Sequence, residues 1–241
     1  MLKLLQKTKG LFFKWRLHLI FGFLEKPMST FSNLIRLSAW VHRHRDLSLN
    51  DFYSPDRIGP KREELYSHII DKEQLSKGGF SYLEFGVANG GSFRWWVEHI
   101  KSIDTGFYGF DTFTGLPEDW GHFKKGDMSN GNQPPVIEND QRHQFFQGLF
   151  QQTLPEFISS HKLDLKKKLV IHMDADLYSS TLYVLTSLAP FIKPGDVIIF
   201  DEFNVPNHEF LAFEAFINSY YFKYEVLGAV NNYYNLALKI K

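Results

Sequence analysis

Two hydrophobic rhythms alternate along the chain from residue 56 onward. "KREELYSHIIDKEQL" places Leu65, Ile69 and Ile70 at helical spacing. "FSYLEFGV" then reads as a strand, and "SFRWWVEHIK" as a helix with Ser92 as its cap. "GFYGFDTF" is the next strand. Residues 119–143 are rich in Gly, Asn, Pro and charge and lack a period, as a lid over a site would. "QFFQGLF" predicts a short strand and turn, and residues 153–161 a helical turn. A strand at 169–174, a helix at 179–191, the turn "KPGD" and a strand at 196–201 follow. "EFLAFEAFINSYY" is a helix, and "KYEVLGAV" and "YYNLALKI" are two closing strands, the second containing Tyr233 and Tyr234. This alternation predicts an α/β fold: a doubly wound, mostly parallel sheet with an antiparallel hairpin at its C-terminal edge.

Composition changes the picture at the N-terminus. Residues 1–45 carry nine Lys and Arg against the single acid Glu25, although the 241-residue chain has no net charge. Residues 1–55 therefore read as a basic helical extension and residues 56–241 as the main domain. On one continuous helical wheel Lys7, Lys14, His18 and Glu25 share a stripe, with Phe13, Leu17, Ile20 and Leu24 opposite. Two readings stand: a helix packing on the domain or a partner subunit in a homo-oligomer, or residues 1–26 lying on an anionic membrane surface. The apolar run "LHLIFGFL" is too short for a membrane span. Zero Cys excludes thiolate metal sites and a cysteine nucleophile and fits a reducing, cytoplasmic setting. The zero net charge gives no sign of a nucleic-acid partner.

Two core strands end in acid pairs: "LVIHMDAD" in Asp174 and Asp176, "DVIIFDEF" in Asp201 and Glu202. One helix joins them, so they read as parallel neighbours about 4.8 Å apart. Carboxylates at roughly 4 Å repel by about 4 kcal/mol at an effective dielectric near 20. Either a proton is shared or a hard cation such as Mg²⁺ sits among them. Upstream, "YLEFGVANGGSF" runs from a strand through Gly86, Gly90, Gly91 and Ser92 into a helix, without the spacing of a dinucleotide fold or a P-loop. Asp111, ending the next strand, is placed to accept ribose hydroxyls. Glu84, an acid inside a core strand, needs a partner such as a ligand's ammonium group. A ribose and a cationic amino-acid tail without pyrophosphate point to S-adenosylmethionine.

"LEFGVANGGS", "FDTFTGLP", "GLFQQTLP", "IHMDADLYSST" and "IIFDEF" follow the order and spacing of the macrocin O-methyltransferase-like family, which this chain resembles over residues 78–220. The broader set with cephalosporin-hydroxylase-like and rhamnosyl methyltransferases is similar too. The resemblance implies a class I methyltransferase fold and an S-adenosylmethionine- and Mg²⁺-dependent O-methyltransferase acting on a sugar hydroxyl of a natural product or glycan. It implies that Glu84, Gly86, Gly90 and Ser92 hold the methionine end, and that Asp111 takes the ribose with Thr112 and Phe113 flanking it. Gln147 and Gly148 would lie near the adenine. Asp174, Asp201 and Glu202 would bind the metal, with Asp176 as general base. The family often has Asp-Asp where Asp201-Glu202 stands, and some relatives place a His base where Leu177 stands. Competing readings are a nucleotide-sugar glycosyltransferase using Asp174-x-Asp176, a receiver-like domain, and a methyltransferase fold without catalysis.

Overall fold

The computed structural model describes residues 2–54, 56–160, 163–164 and 166–241; Met1, Pro55, His161, Lys162 and Leu165, which fall within or beside predicted elements, lie outside the described residues. The elements in order are α1 (Leu2–Lys14), α2 (His18–Phe21), α3 (Glu25–Arg43), α4 (Lys61–Lys72), β1 (Phe80–Phe85), α5 (Gly91–His99), β2 (Gly106–Asp111), β3 (His143–Gln147), α6 (Phe150–Ser159), β4 (Lys168–Met173), α7 (Tyr178–Leu188), β5 (Val197–Phe200), α8 (Glu209–Tyr220), β6 (Tyr224–Val230) and β7 (Asn235–Ile240). The strands form one sheet in the order β3-β2-β1-β4-β5-β7-β6, parallel except for β7, which is antiparallel to both its neighbours. The doubly wound fold and its antiparallel edge thus stand as expected from the alternation of elements.

The period of two along each strand divides the core. Leu83, Phe85, Ile171, Met173, Ile198 and Phe200 face α6, α7 and α8. Tyr82, Val170, Val197 and Ile199 face the other way, where Leu65, Tyr66 and Ile69 of α4 and Phe93 and Trp96 of α5 cover them. Helix α6 begins at Phe150, earlier than the predicted turn, because Phe150, Leu154 and Phe157 repeat at helical spacing and pack on the sheet. The final hairpin turn holds Tyr233 and Tyr234, which the sequence reading assigned to a strand; β7 starts only at Asn235. Asn231, Asn232 and Tyr233 adopt positive φ there.

The N-terminal segment divides in the middle of α3. Its second half is built into the core: Leu37 and Trp40 are buried, and the Trp40 indole donates to the Tyr224 hydroxyl at 2.8 Å. Asp51 then ties the chain to the hairpin by accepting from the backbone N–H groups of Asn231 and Asn232. Upstream the helix is not continuous. Arg16 adopts φ +49° and separates α1 from α2, so the single wheel drawn across residues 7–25 is broken. No helix among the described residues is long and apolar enough to cross a membrane.

Candidate active site

Backbone hydrogen bonds continue the sheet one residue past each strand and align the chemistry. Gly148 N–H donates to Asp111 O, Gly86 N–H to Phe110 O, Asp174 N–H to Phe85 O and Asp201 N–H to Met173 O, each at 2.9 Å. Gly148, Asp111, Gly86, Asp174 and Asp201 therefore form one row at the carboxyl ends of β3, β2, β1, β4 and β5. The register Met173↔Phe200 makes Asp174 and Asp201 neighbours, as the matching strand ends predicted. Gly86 is demanded by the chain itself. It has φ +98°, and a Cβ there would stand 1.8 Å from the Asp174 carbonyl oxygen.

Behind the row lies a buried polar network. Glu84 and His172 are register partners on β1 and β4 and both are fully buried. Glu84 accepts from the hydroxyls of Ser92, at 2.7 Å, and Tyr82, and lies 3.5 Å from His172 Nδ1. His172 Nε2 lies 3.9 Å from Asp201 Oδ1 and 3.4 Å from the Tyr66 hydroxyl. Burial alone would lower the His172 pKa, but hydrogen bonds and charge from Asp201 and Glu84 outweigh it and raise it to about 10. His172 is thus drawn toward its imidazolium form by its position between Glu84 and Asp201. Burial likewise pushes Asp201 up, but His172, Arg62 and Arg57 overcome that and hold it below the usual carboxylate range. Asn235 Nδ2 donates to Asp201 Oδ1 at 2.8 Å and fixes its orientation.

Asp174, and Asp176 and Glu202 just beyond the strand ends, are pushed the opposite way. Burial first, and then the charge of Asp201, raise Asp174 well above its ordinary value. Burial raises Glu202 to about 9, helped by Asp176. Asp176 rises to about 6 through burial, with Glu202 opposing by a hydrogen bond and Asp201 and Asp111 adding repulsion. Asp174 and Glu202 are thereby drawn toward their protonated forms, while Asp201 is held toward ionisation beside His172. Asp176 has φ +58°, a conformation few non-glycine residues adopt. Glu202 Oε1 accepts from the Tyr234 hydroxyl, whose ring lies 3.6 Å beneath the Arg57 guanidinium.

These groups line a cavity of about 780 Å³. Gly86, Asp111, Thr112, Asp174, Asp176, Asp201 and Glu202 reach it. The other nominated residues sit outside its lining. Glu84 and Ser92 are bonded to each other in the network behind, Phe113 is buried, and Gly90 is the left-handed residue that opens α5. Gln147 turns to Asn132 Oδ1 at 2.8 Å, and Leu149 and Phe150 reach the cavity instead of Gln147 and Gly148. The irregular segment after β2 folds over the rim. Leu116 N–H donates to Asp127 O and Gly126 N–H donates to Leu116 O, and Trp120 and Phe123 stack at 5.2 Å with 11° between their rings. Trp120, Phe123 and Met128 form the apolar side of the opening. Sequence reading missed Arg57, Trp120 and Tyr234, whose position depends on loop folding, and Arg62, which the packing of α4 brings to the cavity. It saw His172 only as a letter in "IHMD", although a polar residue inside a core strand was the available signal.

The cavity fits a nucleoside donor. Asp111 uses each carboxylate oxygen once, accepting from Ala88 N–H and Phe113 N–H at 2.7 Å. A lone pair on each oxygen stays open to a ribose hydroxyl. The volume lies within the range of small-molecule sites. For a metal, Asp174, Asp201 and Glu202 offer hard oxygens, and Glu202 Oε2 is buried without a hydrogen-bond partner. The donor chemistry fits Mg²⁺, yet among the described residues no three His, Asp or Glu side chains are drawn together into a group that could hold an ion.

A methyltransferase domain family matches residues 83–203. No curated protein matches the sequence. Among solved structures, the calicheamicin methyltransferase CalS11 is similar with a TM-score of 0.57 at 18% identity, covering 86% of this chain and 91% of that one. Its apo structure is described as a TDP-rhamnose 3'-O-methyltransferase. The O-methyltransferase NovP has a TM-score of 0.57 at 23% identity, covering 76% of this chain and 80% of its own. An O-methyltransferase from Bacillus cereus in complex with S-adenosylhomocysteine has a TM-score of 0.51 at 17% identity, covering 87% and 90%. At these identities the structural likeness is one of fold.

Proposed function

The chain belongs to the methyltransferase-domain family, and from that premise we propose an S-adenosylmethionine-dependent O-methyltransferase, of the macrocin O-methyltransferase-like type, acting on a hydroxyl of a sugar, glycoside or glycan. The convergence of Asp111, Asp174, Asp176 and Asp201 on one cavity that a stacked aromatic pair also lines carries this reading. The description of CalS11 as a sugar-nucleotide methyltransferase supports the acceptor class. Family membership leaves the glycosyltransferase reading of Asp174-x-Asp176 without support.

In this reading the donor, when bound, supplies an electrophilic methyl group, and Mg²⁺ on Asp174, Asp201 and Glu202 would lower the pKa of an acceptor hydroxyl. Asp111 accepts the ribose hydroxyls, and the backbone at Gly86 and Ala88 borders the methionine end. Asp176 takes the hydroxyl proton on a carboxylate oxygen; proton removal of this kind is typically worth about 10²–10⁴ in rate. Trp120 and Phe123 offer aromatic faces to the apolar face of a sugar ring and exclude water from the opening. Much of the remaining acceleration comes from holding acceptor and methyl group in line.

Calorimetric titration with S-adenosylhomocysteine, with and without Mg²⁺, tests the donor site. Radiolabelled methyl transfer to a panel of sugar nucleotides and glycosides, with chelator controls, tests acceptor and metal. Micromolar binding and chelator-sensitive transfer support the full reading. Failure to bind in either condition refutes it, and transfer indifferent to chelator removes the metal.

A further inference from the structure

Helix α1 is exposed along its described length, and its Phe12 ring meets Phe21 of α2 at 6.2 Å. Every side chain from Lys3 to Arg16 is exposed, and the large apolar ones from Leu4 to Phe23, Leu17 apart, are 43–76% exposed. The exposure is ordered. Leu4, Leu11 and Trp15 fall on one stripe of α1, and Thr8 between them turns its hydroxyl inward to the Leu4 carbonyl at 3.0 Å. Lys3, Lys7 and Lys14 share the stripe that flanks it. A lone helix of this length is marginal in water, so its apolar stripe calls for a surface.

Helix α3 continues the pattern on two opposite faces. Asn33, Leu37 and Trp40 are buried on one. Met28, Phe31 and Ile35, at helical spacing on the other, are 55–66% exposed. The amphipathic stretch is joined to the active site. Asn207 donates to the Thr30 hydroxyl at 2.7 Å and accepts from Asn33 Nδ2 at 3.0 Å. Asn207 lies in the loop that runs from Glu202 to α8, so α3 carries the outward apolar face on one side and a wall of the cavity loop on the other.

Charge selects the partner. Residues 3–26 hold Lys3, Lys7, Lys9, Lys14, Arg16 and Lys26 against Glu25 alone. A second copy docked through this face would set two such cationic segments against each other, whereas an anionic lipid surface neutralises them. Aromatic side chains beside lysines suit the headgroup boundary. We infer that α1 and the outward face of α3 dock the protein on an anionic lipid bilayer, with α1 lying in the interface plane. This inference does not depend on the methyltransferase reading.

Co-sedimentation of the full chain with vesicles tests it. Vesicles of phosphatidylcholine alone are compared with vesicles containing phosphatidylglycerol, at low and high salt. Strong partitioning onto the anionic vesicles, weakened by salt, is expected. Each lysine near the surface contributes about a fivefold change, so Lys7→Gln with Lys14→Gln lowers partitioning by about 25-fold. Trp15→Gln lowers it as well, and wild-type tryptophan emission shifts to the blue on binding, a shift that Trp15→Phe diminishes. These substitutions lie on exposed positions outside the core, and unchanged thermal unfolding confirms that each variant is folded. Equal binding to both vesicle types, no binding to either, or a dimer in sedimentation equilibrium that Trp15→Gln dissociates while vesicles bind nothing, would each overturn the inference.

Discussion

Replacing His172 by glutamine tests the charge arrangement behind the cavity. Glutamine keeps two polar ends and roughly the side-chain reach but cannot carry the charge that Glu84 and Asp201 share. Removing one partner from a buried ionic group typically costs about 3–5 kcal/mol. The raised pKa gives a second route to the magnitude. The folded-state value of about 10 lies above the reference of 6.5, so the stabilisation is complete below pH 6.5 and is lost as pH rises through 10. At pH 7 the protein is about three decades of proton activity below that folded value, at about 1.4 kcal/mol per decade, or about 4 kcal/mol. The two routes agree. Urea unfolding of wild type and His172→Gln, in chelator so that no cation compensates the carboxylates, should differ by about 4 kcal/mol at pH 7. The difference should shrink to under about 1 kcal/mol near pH 10, where wild-type His172 has released its proton. In a domain of this size 4 kcal/mol corresponds to roughly 8–16 °C in Tm. A variant as stable as wild type at pH 7, or a difference independent of pH, would refute an imidazolium at this position.

Asp176→Asn should lower kcat by about 10²–10⁴ with S-adenosylhomocysteine affinity within about threefold of wild type. Because a base must be ionised, and Asp176 titrates near 6, kcat/KM should rise with pH through about 6; a flat profile from pH 5 to 8 would exclude it. Gly86→Ala combines positive φ with a Cβ driven into the Asp174 carbonyl, so at least about 2–3 kcal/mol of stability should be lost and cofactor binding weakened, as read by urea titration and calorimetry. Trp120→Ala should raise the acceptor KM about tenfold and leave cofactor affinity unchanged, which steady-state kinetics against calorimetry will separate.

Element order and the acidic strand ends were legible in the residues because both depend on local periodicity. A period of two with apolar runs specifies buried strands, and one helix between two such runs brings Asp174 and Asp201 to one edge. Asp111 followed in the same way. The remainder was decided by contacts between residues far apart in sequence. Glu84 could be flagged as an acid in a core strand, but only the register of β1 against β4 sets it beside His172. Gly86 looked like room for a ligand, and the tertiary structure gives that space to the Asp174 carbonyl as well. Tyr234 looked like a strand residue until a run of left-handed residues turned it beneath Arg57 and toward Glu202. The continuous N-terminal wheel failed because it assumed uninterrupted helix, and one left-handed residue at Arg16 resets the phase. Hydrophobic period is an intrinsic property of the sequence, whereas the charge state of a buried carboxylate is set by whatever the fold places within a few ångströms of it. That is why the sequence by itself determined where the acids gather, and only the tertiary structure decided which of them is ionised.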